Sequence, residues 1–256
     1  MEQFNLETYN PINYNGWILG DEARKGVNIK RLGIFNPNEI KLFDFLIPYQ
    51  DQRNDPGQGE LVAYITEKSR IYYPGIIREV ANPAAMGHDT GFWGGDPTAW
   101  KKLVDSGSDT EGELNRRPHQ NRGCLIMGKA VQAVGYPSEE YHNEIADIIG
   151  DHDTRKLPAT NNGKLVRMAD LDWRVTYPCI QIYKQNSNPE QIIKEAERAC
   201  LNEEFLPHLG KVGEGIARAE LANTIFFKFG EEQARVLEKD YAPEFQRVKG
   251  FYESLR

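Results

Sequence analysis

Four of the five histidines in this 256-residue chain lie between residues 88 and 152, and the first and last of the four are each followed by aspartate, as His88-Asp89 and His152-Asp153. Imidazole and carboxylate together form the donor set of hydrolytic divalent ions: Mn²⁺, Fe²⁺ or Zn²⁺, and Mg²⁺ where carboxylate and water predominate. Sulfur has no part in the pattern. Cys124, Cys179 and Cys200 make no CxxC pair, which argues against a thiolate metal site, and their odd, scattered set reads as that of a reducing compartment. The other polar candidates have plainer roles: His142, ten positions before His152, reads as a surface residue, His208 as a helix-end histidine and Asp172 as structural. Phe92, Trp93 and Trp100 read as a loop packing its own aromatics rather than as a base-stacking platform.

Elements must deliver these side chains, and the sequence predicts mostly helices. Residues 1–36 look irregular, with short extended pieces around Trp17-Ile18-Leu19 and Val27-Asn28-Ile29. A helix is expected over Pro37–Pro48, with Asn36 as cap and Pro37 in the first turn, where a missing N–H costs nothing. Asp51–Gly59 is a loop by composition, and Glu60–Tyr72 a helix broken or kinked at Pro74-Gly75 and resuming over Gly75–Val80. Asn82-Pro83 opens a short helix ending in His88-Asp89, followed by a glycine-rich loop and a charged surface loop (105–117). Helical spacing recurs over Pro118–Val134, with His119 in its first turn, and over Ser138–Asp151, with Ile145, Ile148 and Ile149 buried. It recurs again over Leu165–Val175, Pro189–Leu201, Gly213–Phe229, Glu231–Leu237 and Pro243–Leu255. The fold class expected is mainly α.

Taken in order, four segments resemble the motifs of the HD-domain metal-dependent phosphohydrolase superfamily. AAMGHDTGFWGG resembles the HD motif, with a short apolar helix carrying adjacent His88 and Asp89. HQNRG, from His119, is similar to the next element, a histidine with a small residue one turn on. IADIIGDH resembles the third, an amphipathic helix ended by His152, and RMADLD the last, with Asp170 in an ADLD segment. The separations of 31, 33 and 18 residues suit that order, and the resemblance covers roughly residues 60–175. It implies an HD-domain-like helical bundle with an irregular N-terminal segment and a C-terminal helical extension. The chain would then comprise a segment 1–58 packed on the core, a metal-binding core 59–180, and helices 181–256 completing the same domain.

The resemblance implies a metal ligand set of His88, Asp89, His119, His152 and Asp170, holding one or two divalent ions. Asp89 would bridge, with His88 and Asp170 on one side and His119 and His152 on the other. Arg116 and Arg117, just before His119, are the candidates for bidentate pairing with a phosphate, and Arg122 and Lys129 the second choices. The expected activity is hydrolysis of a small phosphorylated molecule, a nucleotide or cyclic nucleotide. Two alternatives stand beside it: an HD-type di-iron oxygenase, and a binding protein that keeps the scaffold without turnover. One departure bears on all three. The superfamily usually carries an earlier histidine, and this chain has none before His88; Gln58 and Glu60 lie near its place. That departure leaves three outcomes open: a substituted ligand, a site with a single tightly held metal, or a lost activity.

Composition narrows the partners. The formal net charge is −7, and the basic pairs Lys30-Arg31, Lys101-Lys102 and Arg116-Arg117 are isolated, so extended nucleic acid is not expected as a ligand. Hydrophobic residues make up 39% and charged residues 27%, the balance of a globular chain able to build a core. The polar start MEQFNLETYN has no signal-peptide pattern, and no stretch approaches a membrane span, so a cytoplasmic protein without a membrane partner is expected. Oligomeric state is not legible.

Overall fold

The computed structural model describes residues 4–50, 52–94, 109–137, 139–154 and 157–256, with backbone alone at 109–116 and 139. It is 72% helical, with no strand among the described residues, as the mainly α expectation required. None of the described helices is long and apolar enough to cross a membrane.

Two compact units emerge: residues 18–169, and residues 170–256 together with 1–17. Contacts group residues 1–17 with the C-terminal helices; the boundaries at 58 and 180 are those that the resemblance implies. The larger unit contains α1 (Val27–Leu32), α2 (Pro37–Leu46), α3 (Gln58–Ser69), α4 (Arg78–Gly87), α5 (Asp109–Val134) and α6 (His142–Asp151). α7 (Asn161–Asp172) runs from this unit into the other, which contains α8 (Tyr177–Tyr183), α9 (Pro189–Ala199), α10 (Leu206–Ala234) and α11 (Ala242–Ser254).

Where capping signals are local, element and sequence agree. Asn36 Oδ1 accepts from the amides of Asn38 and Glu39 at 2.9 and 3.0 Å, and Glu39 Oε2 accepts from Asn36 N at 2.7 Å. This reciprocal box satisfies donors that a helix start leaves orphaned. Asn188 and Gln191 repeat it at the start of α9. In α10, Gly210 and Gly230 take φ of 61° and 80°, so the stretch between them is a separate straight piece, close to the expected Gly213–Phe229.

Three expectations differ from the structure, two of them through long-range partners. The extended piece at Val27-Asn28-Ile29 is the start of helix α1, because Glu60, far along the chain, accepts from Ile29 N at 3.1 Å and from Asn28 Nδ2 at 2.7 Å. The charged loop before Pro118 is helical from Asp109, so Pro118 and His119 lie inside α5 rather than at its start; a polar run without apolar period gives no helix signal. The short helix expected from Asn82-Pro83 begins at Arg78, with Pro83 interior and Asn82 Nδ2 donating to Glu39 Oε1 at 2.8 Å and Glu67 Oε2 at 3.0 Å.

In the larger unit α3 packs on α4, α4 on α6, and α5 on α2 and α6. Leu61, Val80, Met86, Met127, Ile145 and Ile149 are buried between them. In the other unit the N-terminal segment is pinned by Glu220 of α10. Its carboxylate accepts from Tyr9 OH (2.7 Å), Ile12 N (2.9 Å), Asn223 Nδ2 (2.9 Å) and Tyr14 OH (3.2 Å). Hydrogen bonds to a buried charge contribute about 1.5–3 kcal/mol each, and removing the carboxylate removes four of them. Glu220→Ala should therefore cost roughly 3 kcal/mol or more by urea unfolding, and should expose residues 1–17 to limited proteolysis; wild-type protease resistance would refute the pinning.

Asp172 shares that interior. It is fully buried with neither carboxylate oxygen hydrogen-bonded, and burial, reinforced by the Glu220 charge, pushes its carboxyl well above the ordinary range. A carboxyl pKa raised on folding gives stability that is complete below the unfolded value, about 3.9, and is lost as pH rises towards the folded one. Asp172→Asn removes this loss. The variant should be more stable than wild type by about 1–3 kcal/mol at pH 7.5, with the difference vanishing near pH 4. A difference independent of pH would rule out Asp172 as its source.

Candidate metal centre

His88 and His152 each stand immediately after a helix, α4 and α6, and each is oriented by the same device. The Nδ1 of His88 lies 2.7 Å from Ala85 O and that of His152 2.7 Å from Ile149 O, in both cases the carbonyl three residues back. A carbonyl only accepts, so Nδ1 carries the proton, and Nε2 is the atom each ring turns towards Asp89. His88 Nε2 is 3.3 Å from Asp89 Oδ2, and His152 Nε2 is 3.3 Å from Asp89 Oδ1.

His119 reaches the same point from mid-helix. Its Nε2 lies 3.3 Å from Asp153 Oδ2 and 3.9 Å from Asp89 Oδ1, yet both ring nitrogens are buried and neither makes a hydrogen bond. Its ring is held instead by Phe92, stacked at 4.0 Å between centroids and 13° between planes. Phe92 thus packs against the centre, while Trp93 is 47% exposed and Trp100 lies outside the described residues.

Asp153 is the ligand candidate that sequence reasoning passed over. Its Oδ2 is 3.5 Å from His152 Nε2, and Arg167 Nη1 holds its Oδ1 at 3.2 Å. Buried Gln120 fixes its backbone: with the amide turned to suit its neighbours, the oxygen accepts from Asp153 N at 3.0 Å and the nitrogen donates to Gly150 O at 3.1 Å. The repeat of His-Asp after α4 and after α6 was the signal that could have found it.

Asp89, His119, His152 and Asp153 each bring one ligand atom to a point where all four lie within 4.8 Å of one another, an arrangement that could hold a metal ion. The ring nitrogens of His119 fit that use, since they are buried and make no well-formed hydrogen bond, although Nε2 lies beside Asp153 Oδ2. The charges are arranged to match. Burial disfavours ionised Asp89, but Arg53 and His88 outweigh it and hold the carboxyl well below the ordinary range. Burial likewise opposes ionised Asp153, and His152, His119 and Arg167 outweigh it. His119 is pushed down by burial, whereas His152 is held above its usual value because Asp153 and Asp89 prevail over burial.

The remaining expected residues separate. Gln58, the first residue of α3, faces the centre where the early histidine is missing: its Nε2 is 2.9 Å from Asp89 Oδ2 and 3.4 Å from His88 Nε2. Glu60 does not face it, being engaged with α1. Asp170 is buried in the last turn of α7 and is among the carboxylates that could serve as metal ligands. Arg117 is exposed on α5, and the Arg116 side chain lies outside the described residues. Arg122 Nε donates to Gly91 O at 2.7 Å, and Lys129 is exposed. Besides Arg167 on Asp153, Arg53 stands at the centre, and no local pattern marked it: its Nη2 is 2.5 Å from Asp89 Oδ2.

No family model, curated protein or solved structure matches the chain.

Proposed function

We propose that the protein is a metal-dependent hydrolase of a small phosphorylated molecule, with a nucleotide or cyclic nucleotide phosphate bond as its target. The observation that carries this reading is the convergence of Asp89, His119, His152 and Asp153 on one point. A divalent ion held there supplies Lewis acidity, bringing the pKa of coordinated water from about 15.7 towards about 7. The protein's part is to keep Asp89 and Asp153 ionised, to aim the Nε2 atoms of His88 and His152, and to shelter them from bulk water. Asp170 joins the set through the sequence resemblance, and Arg116 and Arg117 remain the residues proposed to pair with the phosphoryl group. A small pocket beside His152 is lined by Ile148, Pro158, Thr160 and the acidic Glu144, Asp147 and Asp151.

The test is metal-stripped protein reloaded with Mn²⁺, Fe²⁺ or Zn²⁺ and presented with nucleoside mono- and triphosphates and cyclic phosphodiesters. Release of phosphate or nucleoside that depends on metal is the expected result. Metal at 100 times its Kd should also stabilise the fold by about 2.7 kcal/mol. Metal binding without release from any substrate would leave a binding protein, and oxygen uptake by the iron form would leave an oxygenase.

A further inference from the structure

The two oxygens of Asp89 face different surroundings. Oδ1 looks towards His152 and His119, and so towards the point shared with Asp153. Oδ2 meets two donors, Arg53 Nη2 at 2.5 Å and Gln58 Nε2 at 2.9 Å, besides His88 Nε2. Arg53 does not depend on Asp89 for its position. Buried Asp55 accepts from its Nε at 3.1 Å and pairs with its Nη2 at 2.8 Å, and the guanidinium lies 4.7 Å above the Phe92 ring that stacks on His119. Asp55, Arg53, Phe92 and His119 thus form one braced column at the edge of the centre.

We infer that the centre binds one divalent ion, at the Oδ1 side, and that Arg53 supplies to Asp89 Oδ2 the positive charge a second ion would bring. This rests on the metal centre proposed above and fixes its stoichiometry. A guanidinium keeps its charge at every physiological pH and has no lone pair to offer. A second ion beside it would meet electrostatic repulsion and would have to displace the Nη2 donor from Asp89 Oδ2. Gln58 acts in the same direction, because it presents N–H to Asp89 and His88 where an imidazole would present a ligand nitrogen.

The test counts metal. Stripped protein is equilibrated with excess Mn²⁺, desalted, analysed for manganese and examined by electron paramagnetic resonance. Wild type should hold close to one ion per chain with an uncoupled six-line signal. The double variant Arg53→Met, Gln58→His, checked for native circular dichroism, should approach two ions with an exchange-coupled signal. Two coupled ions in wild type would overturn this inference and leave the proposed hydrolase centre intact. No retained ion with Mn²⁺, Fe²⁺ or Zn²⁺ would overturn both. A folded double variant that still holds one ion would overturn the role given to Arg53, and if that variant does not fold, the wild-type count decides the stoichiometry alone.

Discussion

Asp89→Asn protein should lose at least about 100-fold in affinity for Mn²⁺ or Zn²⁺, and any metal-dependent phosphate release should fall by on the order of 10³-fold. Removing a residue that merely orients a ligand costs 10–100-fold, and Asp89 stands at the shared point itself. The isosteric amide keeps the shape and discards the charge. It also replaces one acceptor by an N–H donor, facing either Arg53 and Gln58, which already donate, or the Nε2 of His152. The first orientation loses the pairing with Arg53 and Gln58, and the second ties up the Nε2 lone pair of His152 that a metal would use. Elemental analysis and thermal shift with and without metal measure the effect, and Arg53→Met alone serves as a comparison, since it alters the partner of Asp89 without touching a ligand. A variant that retained wild-type metal content would show that Asp89 is not a ligand.

Sequence and structure agree wherever the determining interaction is short-range. The Asn36–Glu39 and Asn188–Gln191 boxes are three residues wide and can be read from the chain directly. The two His-Asp pairs are legible for the same reason: each follows an apolar helix that must end where a polar pair begins. Long-range partners leave no such mark. α1 exists because Glu60 caps it from another helix, and the same engagement removes Glu60 from the metal centre. Arg53 sits in a loop whose sequence, DQRNDPGQG, speaks only of turns; its position follows from Asp55 and from Phe92, which itself lies after α4. Gln58 could be named in advance as a neighbour of the missing histidine, but its orientation, N–H towards Asp89, needed the three-dimensional arrangement.

The largest effect on the fold should come from a residue with no side chain. Gly91 lies in the turn Thr90–Phe92 between Asp89 and the ring that clamps His119, and this turn packs directly on the backbone of α5. A Cβ on Gly91 would stand 1.6 Å from His119 O and 2.5 Å from Gly123 N. Both atoms belong to the helix backbone, so no rotamer change can make room. Overpacking a core typically costs 1–3 kcal/mol where side chains can shift; here turn and helix must separate, and Gly91→Ala should cost about 3 kcal/mol or more. The separation would also withdraw Phe92 from His119 and Gly91 O from Arg122, so metal affinity should fall together with stability. Gly87→Ala is the informative contrast. Its closest contact, at 2.2 Å, is Met127 Cε, the end of a flexible side chain that can swing aside. Gly87→Ala should therefore be distinctly milder in urea unfolding than Gly91→Ala and should keep its metal. Equal losses from the two substitutions would mean that tight packing around α4, rather than backbone contact at the turn, holds His119 in the centre.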